Sequence, residues 1–253
     1  MENLICSYRR SEPHIEMPYL QRHDDMHEIY YLSSGKRKYY VGGQVYSIES
    51  GDFVFIKSGI LHRTTYNDNS FHSRYYALIP SSWFSEISHL LPDSFFVKGQ
   101  DKLELYFAEL VREKELGDSY SAFRAKGLAS IIISEALRAN KKESTETDFV
   151  KDVLDYVASN IDKDLTLNNI AKHYDLAPNY FTSVFHNKSG MTLSDAIKMV
   201  KLEKASKLLE ESSYSISEIS EMCGFNDPGY FSSVFRSQMK ISPYQYRKKY
   251  NLR

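Results

Sequence analysis

The chain has 253 residues, with 32 Lys and Arg against 33 Asp and Glu and a formal net charge of −1, so its overall balance excludes a strongly basic coat for nucleic acid. Two cysteines, Cys6 and Cys223, without partner spacing exclude a disulfide framework and imply reduced thiols and a cytoplasmic address. The first ten residues lack the apolar core of a secretion signal, and the longest aliphatic run, near Ile131–Ile133, is far too short to span a membrane.

The N-terminal hundred residues carry strand signals. Lys36–Val41 and Gln44–Ile48 are β-rich runs around Gly42-Gly43, which predicts a hairpin. Ser50-Gly51-Asp52 leads into Phe53–Ile56, and Ser58-Gly59 leads to His62. Short strands every ten residues or so, with turn signals between them, predict a small antiparallel barrel or sandwich whose interior could be a pocket. Tyr30, Tyr39, Tyr40, Tyr46, Tyr66, Tyr75 and Tyr76 enrich this region in side chains with a flat apolar face and a hydroxyl, suited to a sugar or another polar metabolite. Glu28, His62 and Arg74 are the polar groups expected to face such a ligand, with His23 beside them.

The period then changes. Leu103, Phe107, Leu110 and Val111 mark one amphipathic helix, and Phe123, Leu128, Ile132, Ala136 and Leu137 a second. Asn140–Thr147 is polar and aperiodic, so a linker is expected over 141–148. The expected domains are 1–100, 101–140 and 149–253.

Beyond the linker an eight-residue block occurs twice, Pro178-Asn-Tyr-Phe-Thr-Ser-Val-Phe185 and Pro228-Gly-Tyr-Phe-Ser-Ser-Val-Phe235, identical at six positions. Each opens with Pro at a favourable first helical position, and each places Phe at i and i+4 on one face. A short helix and a tight turn precede each block. In the second copy, Ser215–Glu218 has the capping-box pattern and Gly224 falls where the chain must reverse. This predicts two helix-turn-helix units, 166–188 and 215–238, in which the second helix is free to enter a major groove. Leu193–Glu211 predicts a long connecting helix with Ile197, Val200, Leu208 and Leu209 near one face. Two units are too few for a helical solenoid. Residues 149–253 hold 14 basic and 12 acidic side chains, whereas 236–253 hold six basic ones and no acid, so any basic field is local.

Residues from about 149 to 253 resemble the DNA-binding domain of AraC/XylS-type transcription regulators. The resemblance is carried by Ile170-Ala171, Pro178–Phe181, Phe185 and Gly190, then by Ile219, Cys223-Gly224-Phe225, Asp227-Pro228, Tyr230-Phe231, Val234-Phe235 and Ser242-Pro243-Tyr244 with Tyr246-Arg247. It implies DNA contacts from Asn179, Thr182 and Ser183 in one recognition helix and from Gly229, Ser232 and Ser233 in the other. His186, Lys188, Arg236 and Lys240 are expected beside phosphates rather than bases. Lys240 stands where the family usually has Gly, and Lys201 where it usually has Arg.

The strand-rich region resembles the cupin-type sensor found in front of many such domains, through His23, Glu28, Gly35, Gly51-Asp52 and His62. Metal-binding cupins use a close His pair, a carboxylate and a later His. Here His27 adjoins Glu28, and adjacent strand residues face opposite ways, so the expected metal set is incomplete and no metal or other cofactor is assigned. The resemblance also implies a dimer contact from the helices of 101–140.

The fold class expected is therefore mixed β plus α, an N-terminal cupin-like antiparallel barrel with following helices and a C-terminal all-α domain of two helix-turn-helix units joined by a long helix. The expected function is that of a homodimeric, non-enzymatic regulator that binds double-stranded DNA in response to a small polar effector such as a sugar. Two alternatives stay open, a metal-dependent cupin isomerase or oxygenase with a DNA-binding tail and a regulator that dimerises without sensing a ligand.

Overall fold

The computed structural model describes residues 4–11, 19–66, 71–140 and 149–251. They fall into two compact units, one drawn chiefly from residues up to 146 and the other chiefly from 147–253. The segment 141–148, expected as a linker, lies outside the described residues.

The first unit is built on β1 (Ile5–Ser11), β2 (Met26–Ser34), β3 (Lys36–Val41), β4 (Gln44–Glu49), β5 (Phe53–Ile56), β6 (His62–Tyr66), β7 (His72–Pro80) and β8 (Ser94–Val97). One sheet has the order β1-β7-β2-β5-β8 and the other β4-β3-β6. The hairpin expected across Gly42-Gly43 joins β3 to β4, with φ of 56° and 74° at the two glycines. Two consecutive positive φ values let a two-residue turn follow the right-handed twist of its strands.

Strand β2 shows why this region reads as apolar without clean alternation, because both of its faces are covered. Ile29 and Tyr31 enter a core with Phe53, Phe55, Ala77 and Ile79, closed by two helices. Tyr30 and Leu32 enter a second core with Tyr39, Val41, Ile48, Val54 and Ile56, which is the barrel interior. The helices are α1 (Lys102–Leu116) and α2 (Ser121–Asn140). Helix α1 buries Leu103, Phe107 and Leu110 as expected, whereas Val111 is only partly buried. Helix α2 buries Ile132 and Ala136 and packs Leu128 and Leu137 on the same core as expected, but Phe123 is 83% exposed, and Ala125, Ala129 and Ile133 complete the packed side. Its small residues let the helix lie close, and the large aromatic points away.

The second unit comprises α3 (Phe149–Ser159), α4 (Leu167–His173), α5 (Pro178–Ser189), α6 (Leu193–Glu211), α7 (Ile216–Met222), α8 (Pro228–Met239) and α9 (Pro243–Tyr250). The starts of α4, α6, α7, α8 and α9 are capped by side chains of Thr166, Thr192, Ser215, Asp227 and Ser242, with full capping boxes at α7 and α9. Helix α6 is not the one-faced rod the sequence suggested. Leu193, Ala196, Met199, Val200, Leu202, Ala205, Ser206 and Leu209 are buried around it, while Ile197 and Leu208 are only partly covered. It packs against α3, α5, α7 and α9, so it is the interior of the whole unit.

Candidate functional site

The alternation of β2 that sends Tyr30 and Leu32 inward sends Glu28 inward too, while His27 faces the helices against Phe55 and Phe84. His27 Nδ1 accepts the Ser58 amide at 3.0 Å, and burial together with Lys57 pulls this imidazole down to about 4. His27 and Glu28 therefore do not share a site, as adjacency on a strand requires. Glu28, 1% exposed, instead meets His62 from β6, with Oε2 3.1 Å from Nε2. His23, in the segment before β2, brings its Nε2 to 3.5 Å from the same oxygen. His23, expected beside Glu28 and His62, meets both, because a residue outside the strand is free of its alternation.

Burial works to raise the Glu28 carboxyl, but the adjacent His62 and His23 overcome it and hold the group down at about 2. Burial works to lower His62, and Glu28 overcomes that in turn, so the ring is shifted upward. His62 Nδ1 lies 3.0 Å from the Ile60 carbonyl, which can only accept, so that nitrogen carries the proton and Nε2 faces the carboxylate. Among the described residues, His23, Glu28 and His62 present donor atoms all within 4.8 Å of one another. Two imidazole nitrogens and one carboxylate oxygen fit a divalent transition cation, and a cation held there would offer a Lewis-acidic position to a bound molecule.

Arg74, expected beside these groups, is elsewhere in the barrel. Its Nη1 lies 2.8 Å from His72 Nε2, and Arg37 Nη1 lies 2.7 Å from the same nitrogen while Arg37 Nη2 donates to Thr64 Oγ1 at 2.8 Å. A single Nε2 that accepts from two guanidinium groups belongs to a neutral ring, and burial, then Arg37 and Arg74, push His72 down to about 4. Arg37 and His72 were not anticipated, because a cation on a strand looks like an outward-facing charge in sequence. Of the tyrosines, Tyr30 and Tyr39 are interior, Tyr46 and Tyr76 pack against that core, and Tyr75 belongs to the helix-covered side. The side chain of Tyr66 lies outside the described residues.

In the second unit the two repeated blocks have matched surroundings. Phe181 and Phe185 in α5, and Phe231 and Phe235 in α8, are fully buried, while Tyr180 and Tyr230 are 60% and 54% exposed. The turns close alike, with Leu176 N–H on Ala171 O and Phe225 N–H on Ser220 O, both at 3.0 Å. Positive φ is supplied by Gly224 (70°) in the second turn and by Asp175 (53°) in the first. Asp is among the few non-glycine residues that adopt this conformation readily, which is the signal the sequence held at position 175.

Asn179, Thr182, Ser183, His186, Lys188, Gly229, Ser233, Arg236 and Lys240 are exposed, and Ser232 is partly covered. The Thr182 and Ser183 hydroxyls donate to the carbonyls of Pro178 and Asn179 at 2.9 and 3.0 Å, so each presents a lone pair outward and would act as an acceptor toward a base. Lys188 Nζ lies 5.8 Å from the Phe149 ring centre and Arg236 stands in the last turn of α8. Arg247 is turned inward to the Tyr214 carbonyl and serves the fold.

Residues 170–249 match the family model described as "Helix-turn-helix domain", and residues 10–78 match that described as "Cupin domain". The chain is 30% identical over 136 residues to the melibiose operon regulatory protein of Escherichia coli K12, a match covering 53% of this chain and 45% of that protein. The chain thus spans less than half the length of that relative. It is 21% identical over 248 residues to the HTH-type transcriptional activator RhaR of Mannheimia succiniciproducens, covering 94% of this chain and 90% of that one. A crystal structure of apo ToxT from Vibrio cholerae aligns over 98% of both chains with 16% identity and a TM-score of 0.45.

Proposed function

We propose that this chain, an AraC/XylS-type protein with a cupin domain followed by a helix-turn-helix domain, is a transcription regulator that binds double-stranded DNA and answers to a small polar effector held in the barrel. The observation that carries the reading is the matched pair α5 and α8, with the same phenylalanines buried and the same tyrosines exposed. Such a pair suits insertion into successive major grooves, with short side chains making permissive base contacts and basic groups on phosphates. The domain division 1–100, 101–140 and 149–253 belongs to this reading.

A sugar is the proposed effector class. The name of the melibiose operon regulator supports it, as do interior hydroxyls and the Glu28 carboxylate, which suit a polyol. Homodimerisation through α1 and α2 is proposed from the exposed apolar side chains Leu105, Leu116, Phe123 and Ile131 on that helix pair and Tyr120 in the turn between them. The Gly127 position opens into free space and would admit a close partner helix. The protein would act in the cytoplasm, without catalytic residues of its own. Among the described residues no helix is long and apolar enough to cross a membrane.

The test is genome-wide DNA capture and fluorescence anisotropy with the full chain, with and without melibiose, galactose and glucose. Saturable binding whose affinity or half-site preference moves with one sugar supports the whole reading. Isotherms that no sugar moves would remove sugars as the input, and failure to bind any duplex would remove the regulator.

A further inference from the structure

We infer that Tyr39 is a positioning residue, committing Glu28 to bind through one oxygen a divalent transition cation that His23 and His62 share. The cupin fold raises the question of a metal; the role of Tyr39 comes from how the carboxylate is divided. Oε1 of Glu28 accepts the Tyr39 hydroxyl at 3.1 Å, and Oε2 alone faces the two imidazoles, at 3.1 Å from His62 and 3.5 Å from His23. With its Nδ1 proton spent on Ile60 O, a neutral His62 turns a lone pair on that oxygen. His23 Nε2 is buried without a hydrogen-bond partner and adds another.

Three electron-rich atoms converging in a barrel interior need positive charge among them. A proton on His62 satisfies one of the two contacts. A divalent cation satisfies both, because ligands about 2.0–2.2 Å from one ion sit roughly 3.0–3.5 Å from each other. The interior position of Tyr39 makes its hydroxyl a fixed donor. The ring is buried and meets Tyr30 edge-on at 5.1 Å, so it cannot swing away. Without that hydroxyl the carboxylate would be free to turn or to offer both oxygens. Side groups that orient ligands in this way are ordinarily worth 10- to 100-fold in metal affinity. The inference rests on the sensor reading only for its biological meaning, since metal uptake is measured directly.

The experiment uses the full chain, stripped with EDTA and titrated with cobalt(II) chloride while the visible ligand-field spectrum is recorded. One cobalt per chain is expected, lost in Glu28→Gln and His62→Ala. Tyr39→Phe, checked for folding by near-ultraviolet circular dichroism, should bind about ten-fold or more weakly and with an altered spectrum. X-ray absorption of the cobalt-loaded wild-type chain should count a single carboxylate oxygen at ligand distance, a result independent of any variant's folding. No cobalt uptake by the wild type would leave only a proton between Glu28 and His62 and overturn the inference. Equal affinity and spectrum in Tyr39→Phe, or two carboxylate oxygens at the metal, would overturn it as well. Duplex retardation by the same metal-free preparation reports the DNA-binding reading separately.

Discussion

Lys201 of α6 donates to the carbonyl of Gly224, in the turn of the second helix-turn-helix, and lies 5.2 Å from the centre of the Phe225 ring. A cation from the central helix thus holds the bend that aims α8. Burial lowers the Lys201 ammonium from its ordinary range, although the hydrogen bond and the ring recover part of that cost. Lys201→Met is expected to cost about 1–2 kcal/mol in urea unfolding of the C-terminal unit. An unchanged midpoint would show that the contact is incidental. Gly224→Ala should be worse, by about 3 kcal/mol or more, because its methyl would stand 2.1 Å from the Ile161 carbonyl at a φ of 70°.

Lys240 ends α8 at φ 63°, the left-handed conformation that glycine adopts freely and lysine does not. Replacement by glycine is expected to stabilise the unit by about 1 kcal/mol. The neighbouring Met239→Gly, within the helix, should move the midpoint the other way. Equal shifts of the same sign would refute the assignment of strain to position 240.

On DNA, Arg236→Ala and Lys188→Ala should weaken binding to every duplex and lower the slope of log affinity against log salt by about 0.9 for each phosphate left without its cation. Thr182→Ala should leave that slope unchanged and alter sequence preference. If the slope stays fixed while one base position loses selectivity in Arg236→Ala, this arginine reads a base.

Two histidines make the N-terminal unit sensitive to acid. His27 and His72 both fall from 6.5 to about 4 in the folded chain. The unfolded chain therefore binds more protons at these two rings between those values, so the stability they contribute is full above about pH 6.5 and drains away as pH falls toward 4. Arg37 and Arg74 are the charges that face His72. His72→Gln should remove about half of this dependence, read as the urea midpoint at pH 7 against pH 4.5. An undiminished slope would mean that folding does not depress the His72 ring.

The proposed contact through α1 and α2 predicts that the unaltered chain sediments as a dimer and that Phe123→Glu combined with Leu105→Glu sediments as a monomer at the same concentration. A variant that sediments as a dimer would place the contact elsewhere.

The repeated block, its proline starts, the capping box at Ser215 and the glycine hairpin were legible because each is a local device whose residues lie within a turn or two of one another. The sidedness of α2 was legible except at Phe123, and that of α6 only in part. Small residues such as Ala125 and Ala129 pack closest yet carry little apolar weight, while Phe123, the strongest apolar signal in α2, faces out. In the barrel, strand alternation correctly separated His27 from Glu28. The cupin resemblance set His23 beside Glu28 and His62, where the structure has it, but neither it nor alternation foresaw that Arg37, 4% exposed, would turn inward to His72.

The way α6 is covered bears on any attempt to divide the reader. Its buried side chains face α3 and α5 as well as α7 and α9, so neither copy retains a finished core when the other is cut off. A fragment stopping after Gly190, or one beginning at Ser212, would leave this helix absent and its former neighbours wet. The two copies should melt in a single transition, and designers wishing to swap one of them would have to transplant both.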